Sequence, residues 1–395
     1  MVFSPKSISQ RPQRPKRMQL EPNVLTALKD SRTDPTQRVV EAIMRVGPRN
    51  AALLSRLTGV PTETVRYKIK KQLKEMAIKI HADVDYQRIG LRLHWAIFDF
   101  TPAYSELAVQ IFLALHEIGY LIYYARIIPQ GHYVVLFVPP EGSGEKYREF
   151  LQHLVNSGIL RSFSFEEVVW SRHLSMNPKY FDFDSANWEI DWNKIDSDRV
   201  DLQKPAEHDE KAEVDKADLL LIKELQKDAL QSIIDIARKV NIHPKTLRYH
   251  YHAHIERRAL VPRYLIRWMK DIESTRGHSI IFTRVTFKGL SESELIAARS
   301  AVTRLPFTWV EYVMRNGTYL AEINIPIQSQ PDTLSYISKK VTGFGQKLEV
   351  SFIDPSVANF GTIQYKVFND DTGWIFDTQD LKQRFRNLAA TLHTS

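Results

Sequence analysis

The sequence predicts an α+β fold made of two winged helix-turn-helix domains, each followed by a ferredoxin-like βαββαβ domain. Three observations carry this prediction. A helix-turn-helix pattern is written twice, at 53–76 and 235–258, with Thr64-Val65-Arg66-Tyr67 answered 182 residues later by Thr246-Leu247-Arg248-Tyr249. Each copy runs out into a strand-like stretch, 78–84 and 260–268. Behind each lie about a hundred residues ordered strand, helix, strand, strand, helix, strand.

The implied divisions are a basic, Pro-rich tail at 1–33, a first winged helix-turn-helix at 34–82 and a first ferredoxin-like domain at 83–192. An acidic linker at 193–214 leads to a second winged helix-turn-helix at 215–270, a second ferredoxin-like domain at 271–376 and a C-terminal helix at 377–395. The tail carries Arg11, Arg14, Lys16 and Arg17 and reads as a mobile arm suited to phosphates or a minor groove. Asp34-Pro35 is a cap and first-turn proline, with Val39, Val40, Ile43 and Met44 as the buried face of the helix they open.

Turn chemistry recurs with the repeat. Small Ser55 and Ala237 sit where two helices cross, and Gly59 and Asn241 follow four residues later, the residue types that enter left-handed backbone most readily. Val65, Ile69, Leu73 and Met76, like Leu247, Tyr251 and Ile255, recur at helical spacing and form one buried stripe. Opposite them stand Arg66, Tyr67, Lys70, Lys71 and Lys74 in the first copy, and Lys245, Arg248, Tyr249 and His252 in the second; Thr64, Lys68, Thr246 and Arg257 complete the candidate DNA-contacting set. On a recognition helix, Arg66, Tyr67, Arg248 and Tyr249 would read bases while the remaining cations neutralise phosphates.

In the first α/β segment the strands are expected at 94–100, 121–128, 133–138 and 163–170, with helices at 104–118 and 145–155. In the second, strands fall at 279–287, 308–314, 319–325 and 347–353, and helices at 292–305 and 332–341, with Asn316-Gly317 a strong hairpin signal. Tyr123, Tyr124, Tyr133, Phe307, Trp309 and Tyr312 lie on strand patterns and read as core. Residues 378–392 pattern as an amphipathic helix with Leu381, Phe385 and Leu388 on one face.

A net charge of +8 points to a polyanionic partner, and its distribution sharpens the point. The two helical repeats carry +7 (38–81) and +6 (215–270), while 182–215 between them carries −8. With no cysteine there are no disulfides, thiolate metal sites or thiol nucleophiles. No apolar run is long enough to span a bilayer, and the basic N-terminus lacks a signal-peptide core. No Walker loop, dinucleotide fingerprint, nucleophile elbow or HExxH pattern is present, so the reading carries no cofactor and no catalytic residue. His250 and His254 share a helix face at metal-chelating spacing, but no third ligand is evident, which favours packed or groove-facing imidazoles.

A helix-turn-helix joined by a strand to a βαββαβ domain resembles the Lrp/AsnC (feast/famine) family of prokaryotic and archaeal transcription regulators. The residues that carry the resemblance are 51–78, then Asp83-Val84-Asp85-Tyr86-Gln87-Arg88-Ile89-Gly90, similar to that family's linker; 219–260 matches in the second half. The resemblance implies pairing through the ferredoxin-like domains, here inside one chain as a pseudo-dimer with two non-identical recognition helices. It also implies a small-molecule effector, which no residue set here specifies, and further homo-oligomers. The resulting expectation is a cytoplasmic, nucleoid-associated regulator that binds double-stranded DNA at an asymmetric operator, with no enzymatic activity. Two alternatives stand beside it: an enzyme similar to siroheme decarboxylases, which have an Lrp-type outline and work as unequal pairs, and a non-specific chromatin- or RNA-binding protein.

Overall fold

The computed structural model describes residues 28–392 except 31–32, 186, 198–199, 201, 203–210 and 269–279. Residues 1–27 of the basic tail and half of the acidic linker therefore lie outside the described residues. Within these two segments Leu28 and Ile195 are fully buried, and Asp196 accepts hydrogen bonds from Tyr336 and Lys340.

Each half opens with three helices and a strand. In the first these are α1 (Pro35–Val46), α2 (Ala51–Thr58), α3 (Thr62–Tyr67) and β1 (Ile78–Asp83). Asp34 caps α1 by accepting from the Thr36 and Gln37 amides, with Pro35 in the first turn. Gly59 ends α2 at φ 71°, a left-handed conformation that glycine enters without a Cβ clash. Beyond Tyr67 the helix widens into a π-type turn at Lys68–Gln72 before closing at Leu73–Glu75.

β2 (His94–Phe100), α4 (Ala108–Ile118), β3 (Leu121–Ile128), β4 (Tyr133–Phe137), α5 (Gly144–Asn156) and β5 (Leu160–His173) follow, with short strands β6 (Phe181–Asp182) and β7 (Asn187–Trp188) behind them. The second half repeats the order. Its helical unit is α6 (Lys216–Lys227), α7 (Ile233–Val240), α8 (Pro244–His250) and β8 (Arg263–Trp268). Asn241 takes the left-handed position at φ 55°, and a second π-type turn follows at Tyr251–Glu256. Then come β9 (Ile280–Phe287), α9 (Glu292–Arg304), β10 (Thr308–Met314), β11 (Tyr319–Pro326), α10 (Gln330–Lys340), β12 (Leu348–Phe360), short β13 (Phe368–Asn369) and β14 (Gly373–Trp374), and α11 (Thr378–Leu392).

Two features lie beyond the periodicity. The strands that leave the helical units do not fold back as local wings. β1 and β8 pair with each other, antiparallel, from Ile78 opposite Trp268 to Asp83 opposite Arg263. An exposed strand edge must satisfy its N–H and C=O groups, and here each half supplies the other's partner. Likewise the eight long strands of the two halves close into one barrel, ordered β10-β11-β9-β12-β3-β4-β2-β5. The last strand of each half seals the second strand of the other, β12 on β3 and β5 on β10. β5 and β12 outrun their expected lengths because these seams extend the ladders.

A continuous apolar core joins the helical units, with Val39, Ile43 and Leu54 of the first and Leu219, Ile222 and Tyr264 of the second. Each fully buried aliphatic side chain of this kind contributes roughly 1.5–3 kcal/mol, so the halves are bound by far more than their charges. The aromatic residues expected in the core are buried. Tyr124 and Tyr133 pack under α4 and α5, whereas Tyr123, Trp309 and Tyr312 line the barrel interior. On α11, Leu381 and Phe385 are buried, with Phe385 edge-on to Phe150 of α5; the Leu388 side chain lies outside the described part. Among the described residues no helix is long and apolar enough to cross a membrane.

Candidate functional site

The recognition-helix residues fall largely where the sequence placed them. Arg66, Tyr67, Lys70, Lys71 and Lys74 are exposed, as are Lys245, Thr246, Arg248, Tyr249, His252 and Arg257. Several already have partners in the chain: Arg66 pairs with Glu63, Lys71 lies 5.6 Å over the Tyr67 ring, and His252 Nδ1 is 2.7 Å from Glu256. Thr64 and Lys68 are half-buried. Lys68 Nζ points inward and donates to Thr36 Oγ1 at 2.7 Å and Gln72 Oε1 at 3.0 Å, so it is a fixed internal cation rather than a phosphate contact.

His250 and His254 are packed, not groove-facing. Both meet Asp218, a fully buried residue in the first turn of α6: His250 Nδ1 is 2.8 Å and His254 Nδ1 2.9 Å from its carboxylate. Asp215, the cap of α6, lies 3.6 Å from His250. The third and fourth ligand-type groups that no local spacing reveals are thus brought in from a helix more than thirty residues away.

A different constellation occupies the barrel, and the sequence reading missed it. Alternation along β9 and β11 turns Arg284 and Glu322 inward as direct register partners. They share the interior with Tyr123, Tyr312 and Trp95, and Arg267 of β8 reaches in from the mouth, its guanidinium 4.6 Å over Trp309 and 3.9 Å over Phe360. Arg284 lies 5.7 Å from the Trp95 ring centre and donates to Ser351 at 3.1 Å. Burial pushes the Glu322 carboxyl up to about 7, against the opposing pull of Arg284 and Arg267. Burial also draws Arg267 down to about 10 and raises the Tyr123 and Tyr312 phenols well above their ordinary range.

Two buried polar atoms, Glu322 Oε1 and Arg284 Nη1, have no hydrogen-bond partner. A group with mixed acceptor and donor character would satisfy them both. The signal in the sequence is a single ionisable residue embedded in an apolar strand, as in IIFTRVTF and YLAEINIP.

The same signal marks a second buried cluster, outside the barrel wall. Glu311, in TWVEYVM, is fully buried at the β5–β10 seam opposite its register partner Arg172. Arg172 Nε donates to it at 2.8 Å, Arg299 Nε and Nη2 each at 3.1 Å, and the Tyr319 hydroxyl at 3.2 Å. Near the mouth, Asp83 is 3.0 Å from His173 and 2.8 Å from Arg263. Burial alone would raise its carboxyl, but these two partners hold it below the usual range. A cleft of about 260 Å³ lies elsewhere, bordered by Ile118, Lys366, Phe376 and Arg384, and contains none of these groups.

No family model and no curated protein matches this chain. Among solved structures, a siroheme decarboxylase, NirDL, is similar over 91% of this chain and 100% of its own, at TM-score 0.54 and 9% identity. The same enzyme in co-complex with an iron-uroporphyrin III analogue is similar over the same spans at TM-score 0.52. The E. coli regulator AsnC is similar over only 35% of this chain and 92% of its own, at TM-score 0.27 and 16% identity. The whole-length likeness therefore lies with an enzyme. That finding overturns the expectation of a DNA-binding regulator without enzymatic activity.

Proposed function

We propose that this chain is an enzyme of the siroheme-decarboxylase type, which binds a polycarboxylated tetrapyrrole and releases one of its carboxyl groups as CO2. The observation that carries the reading is the likeness to such an enzyme along the whole chain, both halves included. On this reading each half is a helix-turn-helix unit followed by a ferredoxin-like sheet, divided at 34–82, 83–192, 215–270 and 271–376, with the two exit strands forming one shared ribbon, and the exposed cations of α3 and α8 have no part in the reaction.

The barrel supports the reading chemically. The interior of an eight-stranded barrel is just wide enough for side chains to fill or for one small ligand. The ring would lie across the mouth, on Phe360, Trp309 and Arg267, and only a carboxylate arm would enter. Arg267 and Arg284 supply guanidinium groups suited to carboxylates that must be held. The apolar wall of Trp95, Val134 and Leu136 would desolvate the carboxylate that leaves, which favours loss of its charge as CO2. The carbon–carboxylate bond breaks, CO2 departs, and the electron pair left on carbon takes a proton. Glu322, protonated in part near neutrality, would deliver that proton and recover one from solvent.

Titration of the tag-free chain with the iron-uroporphyrin III analogue should shift the Soret band saturably, and incubation with siroheme should give products lighter by CO2 in mass spectra. Arg267→Gln should weaken binding by roughly tenfold or more, the scale of a lost charge-assisted contact. Glu322→Gln should keep binding and lose turnover. A chain that neither binds the analogue nor releases CO2 from siroheme would end this reading.

A further inference from the structure

We propose that Asp215, Asp218, His250 and His254 form a zinc site in the second helical unit, independent of the barrel. One ligand atom from each of the four lies within 4.8 Å of all the others. Tetrahedral zinc with bonds of about 2.0–2.2 Å spaces its ligand atoms about 3.3–3.6 Å apart. Three of the six separations, 2.8, 2.9 and 3.6 Å, bracket that spacing, and the rest fall within 4.8 Å.

Burial and charge argue the same way. Asp218 has no exposed surface, and the two imidazoles are 12% exposed. A carboxylate withdrawn from water needs a compensating cation. Two aspartates and two neutral imidazoles are balanced by one divalent ion, and imidazole ligands favour zinc over magnesium or calcium. Where the helix passes into the π-type turn at Tyr251–Glu256, the two rings lie edge to face, centroids 4.7 Å apart, over the first turn of α6.

The first helical unit supplies an internal control. At the corresponding places, 182 residues earlier, stand Thr36, Lys68 and Gln72. There the slot is filled by the chain's own cation, the Lys68 ammonium, held by two neutral acceptors. In the second unit the lysine has become an imidazole and the neutral acceptor a buried carboxylate. A slot built around a cation has thereby lost the one it carried and gained the donor set of a metal.

The test uses the tag-free full chain, stripped with a chelator, then dialysed against zinc chloride and analysed for metal. One zinc per chain is expected, with cobalt substitution giving the intense visible bands of a tetrahedral centre. Asp218→Asn, which keeps an acceptor for the helix cap, and His254→Gln should each lower zinc affinity more than tenfold. His252→Gln, on the exposed face of the same helix, should leave it unchanged. The proposal is overturned if the wild-type chain retains no zinc, if Asp218→Asn and His254→Gln bind as well as wild type, or if His252→Gln loses the metal equally. None of these readouts depends on a tetrapyrrole.

Discussion

The two helical units build the same slot and fill it differently. In each, a residue in the first turn of the opening helix meets two side chains from the π-widened end of the third. In the first unit these are Thr36, Lys68 and Gln72; in the second, Asp218, His250 and His254. The backbone device is shared, and the chemistry mounted on it is not. In the first slot a lysine supplies the cation, while in the second a buried carboxylate faces two imidazoles. Duplication inside one chain frees one copy to diverge while the other keeps the scaffold. The barrel seams diverge in the same manner. β5 and β10 meet through the buried Arg172–Glu311–Arg299 cluster, whereas β12 and β3 meet through the Tyr123–Phe360 ring pair, with Asp354 opposite Arg126 at the outer edge.

The seams give the largest expected contrast. Glu311→Ala leaves two buried guanidinium groups without their anion and should cost about 3–5 kcal/mol, the usual penalty for breaking a buried pair. Asp354→Ala on the other seam should cost less than about 1 kcal/mol. Urea denaturation of both variants decides this, and equal losses would erase the contrast.

The next contrast is in pH. Glu322 is buried with its pKa raised to about 7, so the folded chain binds more protons than the unfolded chain above the ordinary glutamate range. Its contribution is full below about 4.5 and is lost as pH rises through about 7, by an amount on the order of 3 kcal/mol. Glu322→Gln should flatten that segment of the stability–pH curve and be the more stable protein at pH 8. Glu311, with two arginines and a tyrosine around it, should show no such gain as Gln. A wild-type curve flat between pH 5 and 8 would refute the assignment.

Smallest is the contrast between the slots themselves, measured with chelator present. Asp218→Ala removes a capping-box acceptor and the partner of two imidazoles, and should cost about 2–3 kcal/mol. Lys68→Met removes only hydrogen bonds to neutral acceptors and should cost about 1 kcal/mol. Thermal melts that rank them the other way would mean the first slot is the structural one.

Much of the scaffold was legible without coordinates because it follows from local physics. The αL stops at Gly59 and Asn241, the Asp34-Pro35 start, the strands at 94–100, 121–128 and 308–314 and the helix at 378–392 are each set by neighbours in sequence. The exposure of Arg66, Tyr67, Arg248 and Tyr249 follows from helical periodicity as well, but exposure is not function, and a basic helix says nothing of what the rest of the chain does. Lys68 shows the limit within one helix: expected from the sequence to be a phosphate contact, it is drawn in by Thr36 and Gln72.

The sequence by itself determined the duplication, the alternation of helix and strand, and which faces are apolar, since these depend on spacing of a few residues. Only the tertiary structure decided which edges meet. Strand pairing between β1 and β8, or between β12 and β3, joins residues about 180 to 240 positions apart, and backbone hydrogen bonds carry no address. Those pairings close the barrel around Arg284 and Glu322 and hold the core that brings α6 against α8, so both candidate sites are assembled by contacts that periodicity cannot encode.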